Sequence, residues 1–160
     1  MPKFIDPHDA YLSFREEVQN DSLQLESCKL HPDIKMYFDE VDSGARFTYA
    51  TFKNKIAKGI LQIAQSGWDN GIPYFQLGIA VGKEFRKQGV GEQLTRKALE
   101  EFLERFPIPK GEKLGIEAVI STANIASQKL AAKIFPKPPT AITDSVSGKP
   151  ALHYEFVKEG

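Results

Sequence analysis

The residues best able to do chemistry, by type and spacing, fall in "GIAVGKEFRKQGVGEQL", Gly78 to Leu94. Here Arg86, Gly89 and Gly91 form Arg-x-x-Gly-x-Gly between an apolar run and a helical pattern. At a strand-to-helix junction, backbone N–H groups point outward without partners, and the helix start adds partial positive charge. Such a junction receives phosphate. Gly89 and Gly91 let a diphosphate approach the main chain, and glycine tolerates the positive φ that these turns often need. Two other phosphate motifs do not fit. Gly82–Gly89 is not followed by the Lys-Ser/Thr of a P-loop, and Leu94 stands where a dinucleotide fingerprint has its third glycine. The bland alternative is a glycine turn with a solvated basic edge.

The elements that position this junction are legible from periodicity. Val90, Leu94, Ala98, Phe102 and Phe106 recur every four residues, Leu99 and Leu103 widen the stripe, and Pro107 and Pro109 stop the helix. Glu92–Arg96, Lys97–Glu101 and Glu101–Arg105 are spaced to pair along its other faces. "YFQLGIAV" (74–81) and "LGIEAVIS" (114–121) read as buried strands. "NIASQKLAAKIF" (124–135) reads as a second helix, with Asn124 suited to the N-cap.

Upstream, Asp9 to Val18 reads as a short helix with Tyr11, Phe14 and Val18 on one face. Asn20 to Asp33 has no clear period. "KMYFDEV" and "ARFTYATF" flank "DSG" as a hairpin, and "KIAKGILQIAQ" (55–65) follows a turn at Lys53–Asn54. "WDNGIP" is a loop signal. "TAITDSV" and "ALHYEFV" close the chain as a hairpin across "SGKP". The order of elements is that of a mixed α/β domain, helices covering a largely antiparallel sheet.

Bulk properties narrow the class. With 160 residues the chain suits one domain. Lys+Arg and Asp+Glu both number 21, so no global field draws nucleic acid or a membrane surface. Lys129, Lys133 and Lys137 could make a local RNA-binding patch, but a solvated helix face is the simpler reading. Cys28 is alone, which excludes an intrachain disulfide and favours a reducing compartment. The opening "MPKFIDPHDA" has no apolar secretory core, and no run approaches the ~20 apolar residues of a membrane helix. A cytoplasmic location is expected.

Taken with the strand before it and the long helix after it, "RKQGVG" resembles the GNAT superfamily of acetyl-CoA-dependent N-acyltransferases. Its members carry a strand, then Arg/Gln-x-x-Gly-x-Gly/Ala, then a long helix. "IEAVISTANIASQKL" is similar to the family's later strand and helix, with Asn124, Ser127 and Leu130 in register, closest to its ribosomal-protein and amino-terminal acetylating branches. The resemblance covers roughly Ile60 to Val157. It implies a GNAT-like α/β (α+β) fold over residues 1–160, with a mixed, mostly antiparallel central sheet flanked by helices. It also implies that N–H groups of Lys87, Gln88, Gly89, Val90 and Gly91 hold the coenzyme A pyrophosphate. Ile79, Ala80 and Val81 would pair with the pantetheine arm, and Lys83, Arg86 and Lys87 would supply charge for the remaining phosphate. Asn124 and Ser127 would add coenzyme contacts, although a simple helix cap accounts for them equally well in isolation.

The reaction implied is direct attack of a primary amine, a peptide α-amine or a small-molecule amine, on the thioester of acetyl-CoA. It needs a neutral amine, a proton for the leaving thiolate and an N–H for the developing oxyanion. The family's usual glutamate and tyrosine positions are Phe75 and Ala131 here. Candidates on the same sheet are Tyr74, Glu117, His153 and Tyr154, each with an ordinary structural explanation. Trp68, Tyr74, Phe75, Phe47 and Tyr49 could line the acceptor pocket. Without a dedicated base the site would favour an α-amine, ~14% neutral at pH 7, over a lysine amine, ~0.04% neutral. The alternative is a non-catalytic acyl-CoA-binding module of the same fold. Partners are acetyl-CoA and an amine acceptor, with room for a homodimer; no metal, membrane or nucleic acid is expected.

Overall fold

The computed structural model describes residues 7–160; the opening segment read above for a secretory signal lies partly outside them, at positions 1–6. Helix α1 (Pro7–Gln19) precedes β1 (Glu26–Ser27), β2 (Ile34–Val41), β3 (Gly44–Lys53), β4 (Ile56–Asp69) and β5 (Ile72–Val81). A turn of 3-10 helix at Lys83–Phe85 leads into α2 (Val90–Arg105). Then come β6 (Lys113–Ser121), α3 (Ile125–Ile134), β7 (Thr140–Thr143) and β8 (Pro150–Glu159). The strands make one eight-stranded sheet in the order β1-β2-β3-β4-β5-β6-β8-β7. Every neighbouring pair is antiparallel except β5 with β6. This is the mixed α/β class expected, and no described helix is long and apolar enough to cross a membrane.

The two faces of the sheet follow from side-chain alternation. Tyr49, Leu61, Ile63, Leu77 and Ile116 turn to one face and bury Leu94, Ala98 and Phe102 of α2. Their neighbours Ala50, Ile60 and Ala80 turn to the other and bury Tyr11 and Phe14 of α1. Phe102, 1% exposed, contacts the rings of Phe47 and Phe75, with centroids 5.5 and 5.2 Å away. Burial of such a side chain stabilises by about 2–3 kcal/mol.

Some expectations are corrected. Trp68, Asp69, Ile72 and Pro73 belong to strands, not to a loop. Asn70 and Gly71 have φ of +50° and +77°, so a two-residue primed turn suffices and the ladder continues to its edge. Of the three expected pairs along α2, only Glu92–Arg96 forms, at 3.2 Å. Lys97 reaches Asp33 at 2.6 Å and Arg105 reaches Glu26 at 2.9 Å. Glu101, 6% exposed, instead accepts N–H bonds from Lys29 (3.2 Å) and His31 (2.5 Å). The helix thereby fixes the segment before β2, which has no periodicity of its own. Local pairs worth a few tenths of a kcal/mol yield to tertiary partners.

Candidate active site

Strands β5 and β6 pair only at Tyr74–Gly115, Phe75–Ile116 and Gln76–Glu117. Past Gln76, β5 stays bonded to β4 as far as Val81, and β6 to β8 as far as Ser121. Between them the sheet opens as a wedge. The facing main-chain edges of Leu77–Val81 and Ala118–Ser121 have no strand partner on that side, which is a template for an extended chain.

The wedge leads into the glycine turn. Gly82 passes so close beneath α1 that a Cβ there would collide with the Tyr11 hydroxyl. That hydroxyl donates to the Ala57 carbonyl at 2.8 Å, and Arg15 bonds Glu84 at 2.7 Å, so α1 holds the start of the turn. Phe85, 8% exposed, anchors it from below. Lys87 and Gly89 have φ of +62° and +77°. Alternating positive φ turns successive N–H groups toward one point and makes an anion-binding concavity. Among the described residues, the N–H groups of Lys87, Gln88 and Gly89 donate to no backbone carbonyl, and α2 begins at Val90. Lys83, Arg86 and Lys87 are exposed around them. Arg86 also donates from Nε to the Val81 carbonyl at 3.2 Å, closing the end of β5.

Helix α3 faces the wedge from the other side. Asn124 Oδ1 accepts from the Ser127 N–H at 3.1 Å, so Asn124 is the N-cap. Gln128, not singled out from the sequence, donates from Nε2 to the carbonyls of Ser121 (3.1 Å) and Thr122 (2.9 Å) and ties α3 to the end of β6. Nothing in its neighbours marks that role. A Cβ added at Gly91 would touch Leu130, Ile79 and Val81 at 3.4, 3.5 and 3.6 Å. Gly91 therefore sits where α2, α3 and β5 meet at the mouth of the wedge.

Tyr74, Glu117 and His153 come together on the α1 face of the sheet. With Trp68, Asp69 and Glu155 they line an open cleft of about 230 Å³. Glu117 is level with Gln76, the last β5–β6 pair, so it stands where the wedge begins. Its Oε1 is 3.8 Å from His153 Nε2. Burial pushes the Glu117 carboxyl above the usual range; the His153 charge opposes this and Glu155 adds to it. The Tyr74 ring lies over Gly115, where any Cβ would strike it. Burial, then Glu155, Asp69 and Glu117, raise the Tyr74 hydroxyl.

Other expected residues go elsewhere. Tyr154, 4% exposed, packs on Phe135 with ring centroids 5.6 Å apart, on the face away from the cleft. Phe75, Phe47 and Tyr49 belong to the α2-side core, so of the five aromatics expected in the pocket only Trp68 and Tyr74 line it. Ala131 is likewise core. Strand alternation explains the strand residues, since neighbours in sequence face opposite sides, whereas Ala131 lies on the buried side of α3.

No family model matches the chain, and none of the curated proteins does. Solved structures do. The acetyltransferase of GNAT family from Streptococcus pneumoniae is 16% identical and superposes with a TM-score of 0.55, covering 99% of each chain. The ribosomal-protein-alanine N-acetyltransferase from Brucella melitensis is 16% identical, with a TM-score of 0.57 over 71% of this chain and 69% of that one. Arabidopsis thaliana Naa50, in complex with the bisubstrate analogue CoA-Ac-MVNAL, is 15% identical, with a TM-score of 0.52 over 68% and 71%. The chain has the fold of the GNAT acetyltransferases, as the resemblance in the sequence implied.

Proposed function

We propose that residues 1–160 act as one N-acetyltransferase domain, moving an acetyl group from acetyl-CoA to a primary amine. The observation that carries this reading is the wedge between β5 and β6 running into a turn whose N–H groups face no carbonyl. The residues present fit the coenzyme: an unpaired strand edge for an extended arm, and an anion receptor with exposed bases at its end. When bound, acetyl-CoA supplies an activated thioester carbonyl.

The protein's own groups do the rest. N–H groups of Lys87, Gln88, Gly89, Val90 and Gly91, with Lys83, Arg86 and Lys87, hold phosphate. Ile79, Ala80 and Val81 pair with the arm, and their strand supplies N–H donors for charge developing on a carbonyl oxygen. Asn124 and Ser127 close the mouth from α3. Glu117 takes the proton from the attacking amine, directly or through one water, and His153 holds its carboxylate. The Tyr74 hydroxyl is the proton source for the departing sulfur. On this reading Glu117, on the strand beside Phe75, supplies the carboxylate that Phe75 cannot. With such a base the acceptor class would extend from α-amines to ordinary primary amines.

A second reading, a non-catalytic acyl-CoA-binding module, is favoured by the core packing of Phe75 and Ala131. Thiol release from acetyl-CoA across an amine panel separates the two. Turnover above the protein-free background decides for the enzyme; tight binding without turnover decides for the module. For the coenzyme site itself, Gly89→Val and Arg86→Ala are each expected to raise the calorimetric Kd for coenzyme A at least about tenfold, ~1.4 kcal/mol. Circular dichroism should stay unchanged. Unaltered affinity in both variants would remove the site.

A further inference from the structure

We infer that the cleft beside the wedge takes an acceptor with two positive charges: a reacting amine tethered by a flexible chain to a second cation. The identity of the reacting amine rests on the acetyl-transfer reading; the binding chemistry does not.

Three carboxylates, Asp69, Glu117 and Glu155, line the cleft against a single His153, and no lysine or arginine lies among the lining residues. Among the described residues no three His, Cys, Asp or Glu side chains stand close enough to share a metal ion, so the negative charge is spread along the cleft. Its spread can be read from the strand register. Glu117 and Glu155 are direct partners across β6 and β8. Asp69 pairs with Ile72, four residues before Gln76, the partner of Glu117. At ~3.3 Å per residue the two ends lie ~13 Å apart along the strands. One ammonium group cannot serve both.

Two further features point to a ligand independently of the carboxylates. Tyr74 is 8% exposed, yet its hydroxyl makes no hydrogen bond among the described residues and faces the cleft. The hydroxyl itself keeps contact with solvent at the cleft, open to a polar group of a ligand. Trp68 lines the same cleft with 67% of its surface exposed. An indole face beside carboxylates attracts an ammonium group through its quadrupole. Together the groups match a chain with a cation at each end: one near Glu117 at the start of the wedge, the other near Asp69 and Trp68.

Trp68 is the sole tryptophan, so its emission reports on cleft occupancy without any turnover. The test titrates the full chain, with coenzyme A present, with 1,8-diaminooctane, 8-aminooctan-1-ol, Ala-Lys amide and Ala-Ala amide. Each dication should give a saturable change with a Kd at least tenfold below that of its monocation. In Asp69→Asn/Glu155→Gln that preference should fall to within twofold. Asp69→Asn alone, at an exposed position by the hairpin, should reduce it at least threefold and guards against misfolding of the double variant. Whichever dication binds more tightly assigns the source, a small diamine or a basic peptide. Equal affinity for mono- and dications, or a preference that survives both variants, overturns the inference. Dication binding without thiol release from acetyl-CoA would sustain it and overturn acetyl transfer instead.

Discussion

At Glu117 burial and the proposed role as base pull in opposite directions. The carboxylate is level with the last β5–β6 pair, and burial lifts its protonation above the usual carboxylate range. Because the folded form holds its proton more tightly than the unfolded form, the charge costs stability. That cost is absent below the ordinary carboxylate pKa, grows from there to the raised one and is constant above it. Glu117→Gln is therefore expected to raise Tm at pH 7–8, with the gain vanishing toward pH 4. The same substitution should lower kcat about a hundredfold or more, the usual worth of a general base. A scan of Tm against pH with parallel thiol-release rates checks both. A loss of stability at neutral pH would contradict the burial argument. The residue itself could be read in "IEAV", but not its contact with His153, which depends on how β8 pairs with β6.

The elements were legible where a local pattern decides them. Helix α2 declares itself through its four-residue stripe, and α3 through Asn124, whose side chain does cap it. "WDNGIP" reads only as a loop, and the primed turn at Asn70-Gly71 is not legible there, because extending the ladder to Trp68 depends on strands meeting across it. The wedge is equally non-local. Nothing in residues 74–81 or 114–121 says that only three positions pair. Two variants test element packing. Gly91→Ala places a methyl at ordinary contact distance from Leu130, Ile79 and Val81, so Tm should hold. The mouth of the wedge narrows, and coenzyme A affinity should drop several-fold by calorimetry; an unchanged Kd would place the arm elsewhere. Glu101→Ala leaves the Lys29 and His31 N–H groups without their acceptor. Urea unfolding should show a loss of about 1.5–3 kcal/mol, the range for bonds to a charged group. A loss under 0.5 kcal/mol would mean that water replaces it fully.

Across the whole molecule, the sheet keeps its aromatic core and the candidate cleft on different faces. The α2 side holds the aromatic core and absorbs Phe75, Ala131, Phe47 and Tyr49. The α1 side leaves the cleft open beside α1, with Tyr74, Glu117 and His153 facing it. The wedge joins the two, so a coenzyme entering from the glycine turn and an acceptor lying in the cleft would meet at Glu117. Zero formal net charge means that this meeting relies on local fields: bases around the turn, acids along the cleft. Backbone amide 1H–15N shifts during titration with coenzyme A locate the seat of the coenzyme residue by residue. The largest shifts are expected at Lys87, Gln88, Gly89 and Gly91, continuing through Leu77–Val81. Saturable binding that moves other amides and leaves these still would contradict that seat.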